Sequence, residues 1–284
     1  MNKRIFELKS ISDGHSITFN AMASPCEVLI QSMDKQLADK IGRTLTKEIW
    51  RIEDKYSRYD KQSVCSVINN KAGQSVSIDE ETYLLLNFAE QCYQLSDGLF
   101  DISSGVLRKA WYFDGSENLP TGTKVYEVLK FVGWRKIEFD HQQITLAESM
   151  EIDFGGIGKE YAVDRAINLA KQITDIPVLV NMGGDLAVTS ARLNNEAWHV
   201  AIERPDIFDQ IGNNTKQDMI VSLKQGALAT SGDARRFLLK EGKRYGHILN
   251  AKTGWPIENA PRSMTVVAPQ CIQAGILATL SLLQ

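Results

Sequence analysis

Cysteine and histidine are scarce in this 284-residue chain, with four of each. The cysteines, at 26, 65, 92 and 271, form no C-x-x-C pair, which excludes a zinc ribbon or a thioredoxin-type motif. Their scatter fits a reducing compartment. The histidines, at 15, 141, 199 and 247, form no H-E-x-x-H or H-x-H pair, which argues against a zinc hydrolase. The G-x-S-x-G elbow of α/β-hydrolases is missing too. No stretch approaches the roughly 18–20 apolar residues of a membrane span. Near the start, Glu7, Lys9 and Asp13 interrupt any apolar signal-peptide core, so the cytoplasm is the expected location. Neither sign of charge dominates: 32 Lys+Arg against 35 Asp+Glu give a net charge of −3. A whole-chain attraction to nucleic acid or anionic lipid is thereby unsupported. What is present is an ordinary globular composition, 43% hydrophobic and 24% charged, which sets aside disorder, collagen and coiled coil. The length suits one large domain or two small ones.

Periodicity places the elements. Val28-Leu29-Ile30 opens as a short strand. Leu37, Ile41, Leu45, Ile49, Ile52 and Tyr56 recur every three or four residues, which predicts a helix over 37–56. Asp79 is set to cap a second helix with Leu84, Leu85, Phe88, Cys92 and Leu95 on its apolar side, stopping at Gly98. A third helix is expected over 124–132. Lys136 to Leu146 is expected to form two strands around a turn at Asp140–Gln143, and Met150 to Phe154 another strand. A glycine-rich turn and a helix over 158–173 follow. Pro177 to Met182 forms a buried strand ending at Gly183-Gly184-Asp185. Further strands are expected at 197–203, 218–223, 236–240, 245–249 and 263–268, with a last helix from 270. The polar stretch 206–217 is expected to be a surface loop. Without a strict βαβ alternation the class is α+β, with mixed, largely antiparallel sheets and packed helices.

The sharpest local feature is Asp153-Phe154-Gly155-Gly156-Ile157-Gly158-Lys159, a strand running through a glycine turn into a helix. Bare glycines admit a phosphate close to the backbone, a helix N-terminus offers unpaired N–H groups, and Lys159 adds a charge. The spacing matches neither the dinucleotide fingerprint nor the P-loop. A tight packing turn without ligand is the competing reading. Asn181-Met182-Gly183-Gly184-Asp185 and Thr230-Ser231-Gly232-Asp233 are further small turns, each ordinary alone. Three in one chain, two ending in Asp, raise the prospect of a phosphate-plus-cation site. His247, ahead of the Lys252-Thr253-Gly254 turn, is either structural or functional. Tyr56-Ser57-Arg58-Tyr59-Asp60 either stacks on a flat heterocycle or ends a helix with surface aromatics.

Taken in order, these segments resemble the ApbE family, the FAD:protein FMN transferases, over nearly the whole chain. The resemblance is carried by Ala21 to Cys26, Ser57-Arg58-Tyr59-Asp60 through Asn69, and Ser96-Asp97-Gly98-Leu99-Phe100-Asp101. It continues through Asp153 to Lys159, Asn181-Met182-Gly183-Gly184-Asp185, Ala229-Thr230-Ser231-Gly232-Asp233, and His247 to Pro256. It implies one domain over 1–284 with T-fold-like subdomains. It implies cleavage of FAD at its pyrophosphate, transfer of FMN to a Thr or Ser hydroxyl of a target flavoprotein, and release of AMP with Mg²⁺. Carried over, Met22, Tyr59, Leu99, Phe100, Asp101, Asp153, Lys159 and Leu249 would contact the flavin dinucleotide. The Gly156 carbonyl and Thr279 would hold the metal. His247 matches the family histidine near the transfer site, and as our hypothesis it accepts the target's proton.

Two departures stand out. The family's Ala-Asp-Ala-Leu-Ala-Thr motif is similar to Ala274-Gly275-Ile276-Leu277-Ala278-Thr279, but the Asp that binds Mg²⁺ is Gly275 here. Asp185 or Asp233 are candidates to compensate. The chain also ends five residues after Thr279, where family members continue into further strand. Many family members are exported lipoproteins, whereas a cytoplasmic flavinylating enzyme is expected here. Two alternatives follow from the departures: a family member that binds FAD without transferring it, and an FAD pyrophosphatase giving FMN and AMP.

Overall fold

A computed structural model describes residues 4–203, 219–232 and 237–284. In chain order the early elements are β1 (Glu7–Ile11), β2 (Gly14–Ala21), β3 (Ser24–Ile30), α1 (Lys35–Tyr56), α2 (Val64–Asn70), β4 (Ser75–Ser77), α3 (Glu80–Leu95) and α4 (Gly122–Leu129). Next come β5 (Glu138–Phe139), β6 (Gln143–Thr145), α5 (Gly158–Ile173), β7 (Val178–Met182), β8 (Asp185–Val188), β9 (Trp198–Ile202) and β10 (Met219–Leu223). The chain closes through β11 (Gly226–Gly232), β12 (Phe237–Lys240), β13 (Lys243–Gly246), β14 (Ser263–Ala268) and α6 (Cys271–Leu283). The class is α+β, and every strand pairing with a resolved register is antiparallel.

The chain divides into two compact units. The first comprises Met1–Glu53, Ile157–Ser231 and Thr265–Ala278. Its centre is a seven-stranded sheet in the order β1-β2-β3-β7-β8-β11-β14, beside the separate β9-β10 ribbon. α1 lays Ile41, Leu45, Ile49 and Ile52 into the core with no exposed surface, as the stripe predicts, but its first buried position is Ala38, with Leu37 only half-buried. α5 packs on β7 and β8 through Ala162, Val163, Ala166, Ile167 and Ala170; three of these are alanines, which keep helix and sheet close. Asp164, also on α5, accepts the backbone N–H of Cys271 at 2.8 Å and of Ile272 at 2.9 Å. One helix thus caps the first turn of the other and fixes where α6 starts.

The second unit comprises Asp54–Gly156, Gly232–Met264 and Thr279–Gln284. It holds the β4-β6-β5 sheet, the β12-β13 hairpin and a core of Leu107, Ala110, Trp111, Val125 and Leu238. Gly254 meets this core at φ +73, where a Cβ would lie 2.7 Å from Val125. Its carbonyl accepts the Trp111 indole N–H at 2.8 Å. Asp79 caps α3 by accepting the Thr82 N–H at 3.0 Å. Burial alone would raise its pKa, but hydrogen bonds from Lys55 and Thr82 outweigh that and hold it at about 2. An Asp79→Ala variant is expected to lose about 1 kcal/mol in urea unfolding at neutral pH. Because the folded pKa is the lower one, that difference should fade as pH falls from 3.8 toward about 2.

The structure corrects several sequence expectations. Residues 150–154 are not a strand. The Asn69 side chain takes both the N–H (2.7 Å) and the C=O (2.9 Å) of Ile152, and Asp153 donates to the Ile102 carbonyl, so the segment pairs with a side chain and a loop. On α3, Leu84 (58% exposed) and Leu95 (73%) face outward, and Leu86 and Ala89 take their places in the core. The strand expected at 245–249 sits earlier, as β13, because Glu241-Gly242 turns the hairpin. Thr230 to Gly232 end strand β11 and do not form a turn. The loop at 206–217 and Asp233 lie outside the described residues. No helix among the described residues is long and apolar enough to cross a membrane.

Candidate functional site

In the first unit, the Asn-Met-Gly-Gly-Asp segment is a hairpin turn. Met182 pairs directly with Asp185, and Gly183 (φ +63) and Gly184 (φ +102) both occupy the left-handed half of φ space that a two-residue turn requires. The Asn181 side chain locks the turn by accepting the Gly184 N–H at 2.9 Å. The turn delivers Asp185 to the interior, where it is 2% exposed. One Asp185 oxygen accepts the Thr230 N–H at 3.0 Å, and the other meets Lys159 Nζ at 2.6 Å. Burial disfavours the Lys159 ammonium, but the Asp185 charge overrides this and raises its pKa.

Glu160, next on α5, is also buried. Desolvation first, and then the Asp185 carboxylate, push its pKa above the ordinary range. Its Oε2 has no hydrogen-bond partner. Glu160 lies against Gly275 of α6: a Cβ on Gly275 would be 2.6 Å from Glu160 Cγ and 2.8 Å from Oε1. Two buried acids share one lysine here, and Glu160 keeps a hard oxygen that nothing uses. That donor chemistry fits a small divalent cation, which needs only one or two carboxylates when water or phosphate completes its shell. Among the described residues no three His, Cys, Asp or Glu side chains cluster as a metal site, so an all-protein cage is not what this arrangement offers.

Met22 also belongs to the first unit. It and Ala23 form the two-residue turn between β2 and β3, both with positive φ (+51 and +56) and neither a glycine. Glu53 holds the strained turn by accepting the Met22 N–H at 2.6 Å, and it is itself paired with Arg4 at 2.9 Å. Ala23→Gly relieves left-handed strain and gives back some unfolded-state entropy. The expected net is a gain of about 0.5–1 kcal/mol, checked by the urea midpoint.

In the second unit, the structure brings Tyr59 and Asp153 together through Arg58. The guanidinium bonds Asp153 and donates to the Tyr59 hydroxyl at 2.9 Å, with its carbon 5.0 Å from the Tyr59 ring centroid. Burial works against the Arg58 charge, yet Asp153 holds its pKa above the usual value. Tyr59 is 79% exposed, so its ring is presented outward and not used in packing. Asp153 also accepts the Gly155 N–H at 2.9 Å.

The Ser96 to Asp101 segment is a positioning device. Gly98 takes φ +78, the Ser96 hydroxyl accepts the Phe100 N–H at 2.9 Å, and Phe100 lies where a Cβ on Gly156 would be 3.1 Å away. Asp101 is buried and spends both oxygens on backbone, the N–H groups of Ser103 and Trp134, each at 2.8 Å. Leu99 is half-buried beside them. His247 follows β13 with its ring centroid 6.3 Å from that of Phe113, edge to face. Leu249 bridges to Pro256 and packs on the Leu107–Trp111 core. Thr279 lies on α6, half-buried, one turn beyond Gly275.

Sequence reasoning missed Arg58 as the link between Tyr59 and Asp153, and missed Glu160 altogether. Arg58 carried a signal, a cation set between aromatic residues. Glu160 carried none, since it fills the space left by the absent side chain at 275. All four cysteines are free and buried, and burial raises their thiol pKa values, to about 11 for Cys26 and about 12 for Cys65 and Cys92. A thiolate nucleophile is not on offer.

Comparison with known proteins gives consistent matches. The sequence model of the ApbE family matches residues 22–284. An FAD:protein FMN transferase of Haemophilus influenzae is 26% identical over 238 residues, covering 80% of this chain and 68% of that protein. That of Klebsiella pneumoniae is 25% identical over 280 residues, covering 95% and 83%. The crystal structure of the ApbE protein from Thermotoga maritima superposes with a TM-score of 0.83 at 29% identity, over 97% of this chain and 86% of that one.

Proposed function

The chain belongs to the ApbE family, and from that membership we propose that it transfers the FMN part of FAD to a Thr or Ser hydroxyl of a target flavoprotein, releasing AMP. The observation that carries the reading is the extent of the family match, residues 22–284, which contains every residue carried over by resemblance. The hydroxyl oxygen forms a new bond to the FMN-side phosphorus. The bond from that phosphorus to the bridging oxygen breaks, and AMP leaves with that oxygen.

We assign the residues as follows. Tyr59, exposed and backed by Arg58, supplies a flat face for a ring of the dinucleotide. Met22, Leu99, Phe100 and Leu249 line the nucleotide, and Asp101 fixes the Phe100 segment through its two backbone hydrogen bonds. Asp153 and Lys159 flank the pyrophosphate. His247 accepts the proton of the incoming hydroxyl. Mg²⁺, held in part by the Gly156 carbonyl and Thr279, supplies charge neutralisation at the pyrophosphate when bound.

The test is a product analysis. The full chain is incubated with FAD and Mg²⁺, with and without an acceptor domain bearing a Thr. AMP that appears with the acceptor and accumulates in step with flavin-labelled acceptor supports the reading. Bound FAD without AMP, or AMP with free FMN and an unlabelled acceptor, contradicts it.

A further inference from the structure

We propose that Glu160 supplies from α5 the cation-binding carboxylate that Gly275 cannot supply from α6, a role that rests on the cation-dependent reading above. Three observations within the first unit carry this. Glu160 occupies the space a side chain at 275 would take, since a Cβ there would stand 2.6 Å from its Cγ, 2.8 Å from Oε1 and 2.9 Å from Cδ. Its Oε2 is buried and has no hydrogen-bond partner, although the residue is only 8% exposed. The neighbouring acid is engaged elsewhere, Asp185 holding one oxygen on the Thr230 N–H and the other on Lys159.

A buried carboxylate oxygen without a partner is costly, and a hard divalent cation satisfies it with charge as well as coordination. The carboxylate has therefore changed helices, with a Glu on α5 doing what an Asp at 275 would do. Restoring Asp at 275 alone places two acids in one volume. A Gly275→Asp chain should lose stability and fail to gain cation affinity.

The experiment reads cation binding directly. Metal-free full-length chain is titrated with Mn²⁺ by electron paramagnetic resonance, with Mg²⁺ as competitor, and thermal unfolding is followed in parallel. The expected results are a Mg²⁺-competed site in the unsubstituted chain and Mn²⁺ affinity at least about tenfold weaker in Glu160→Gln. The metal-free melting temperature of that variant should be equal or higher, since an ionisable acid buried beside Asp185 has been removed at nearly constant volume. The paired change Glu160→Gly with Gly275→Asp should bind Mn²⁺ more tightly than Glu160→Gly alone. A folded Glu160→Gln chain that binds Mn²⁺ as the unsubstituted chain does would overturn the assignment and leave the cation reading standing. No Mn²⁺ binding by the unsubstituted chain, with FAD present or absent, would overturn both.

Discussion

His247→Asn is expected to slow FMN transfer by about 10²–10⁴-fold while FAD binding stays close to that of the unsubstituted chain. Imidazole is the one side chain whose ordinary pKa lets it accept a proton near neutrality. Asn keeps a hydrogen-bonding group at roughly the same reach but cannot take the proton. The setting suits a positioned group. The residue leaves β13 on a short stretch pinned by the Leu249–Pro256 bridge, and Leu249 is rooted in the Leu107–Trp111 core. The ring stands edge-on to Phe113. Rates with the acceptor, together with FAD affinity from fluorescence quenching, separate the two effects. A variant with the full rate removes the proton-accepting role, and one that loses FAD affinity in proportion to rate makes His247 a binding residue.

Lys159→Met is expected to destabilise the fold by about 3 kcal/mol, read as a lower urea midpoint at unchanged slope. Lys159 is, among the described residues, the cation bonded to Asp185, which is 2% exposed, and Glu160 sits alongside as a second buried acid. Removing the lysine leaves a buried carboxylate without the cation that balances it. The Lys159 side chain is itself 26% exposed, so the loss should fall at the low end of the range for buried pairs. Against a total stability of roughly 5–15 kcal/mol this is a large fraction. Adding Asp185→Asn to the Met variant removes the unpaired charge and should recover much of the loss. If the double variant is no more stable than the single one, the effect comes from packing.

The helices were the legible part of the fold. The apolar stripe from Leu37 to Tyr56 carries a helical period strong enough to stand alone, and α1 lies where that period puts it, while the helix expected over 158–173 after the glycine turn is α5. The strands were less legible where a side chain or a turn decided the pairing. Asn69 satisfies Ile152 from a distant helix, so an extended run became a loop. The Gly183-Gly184 pair was visible as a turn. Read as a hairpin it would have announced β8 and the burial of Asp185.

The site was legible wherever one segment builds its own geometry, as Ser96 to Asp101 does with Ser96 on the Phe100 N–H and Asp101 on the Ser103 N–H. It was illegible where two distant positions trade roles. Gly275 showed as a missing ligand, but nothing near it in sequence pointed to Glu160, because the relation exists only where α5 and α6 meet.

The intact mass of a Thr-bearing acceptor domain, after incubation with the full chain, FAD and Mg²⁺, tests the central claim most directly. The account expects one FMN, less a water, added per acceptor, and no addition when the acceptor Thr is replaced by Val. An acceptor of unchanged mass, from a chain that binds FAD and Mg²⁺, would contradict it.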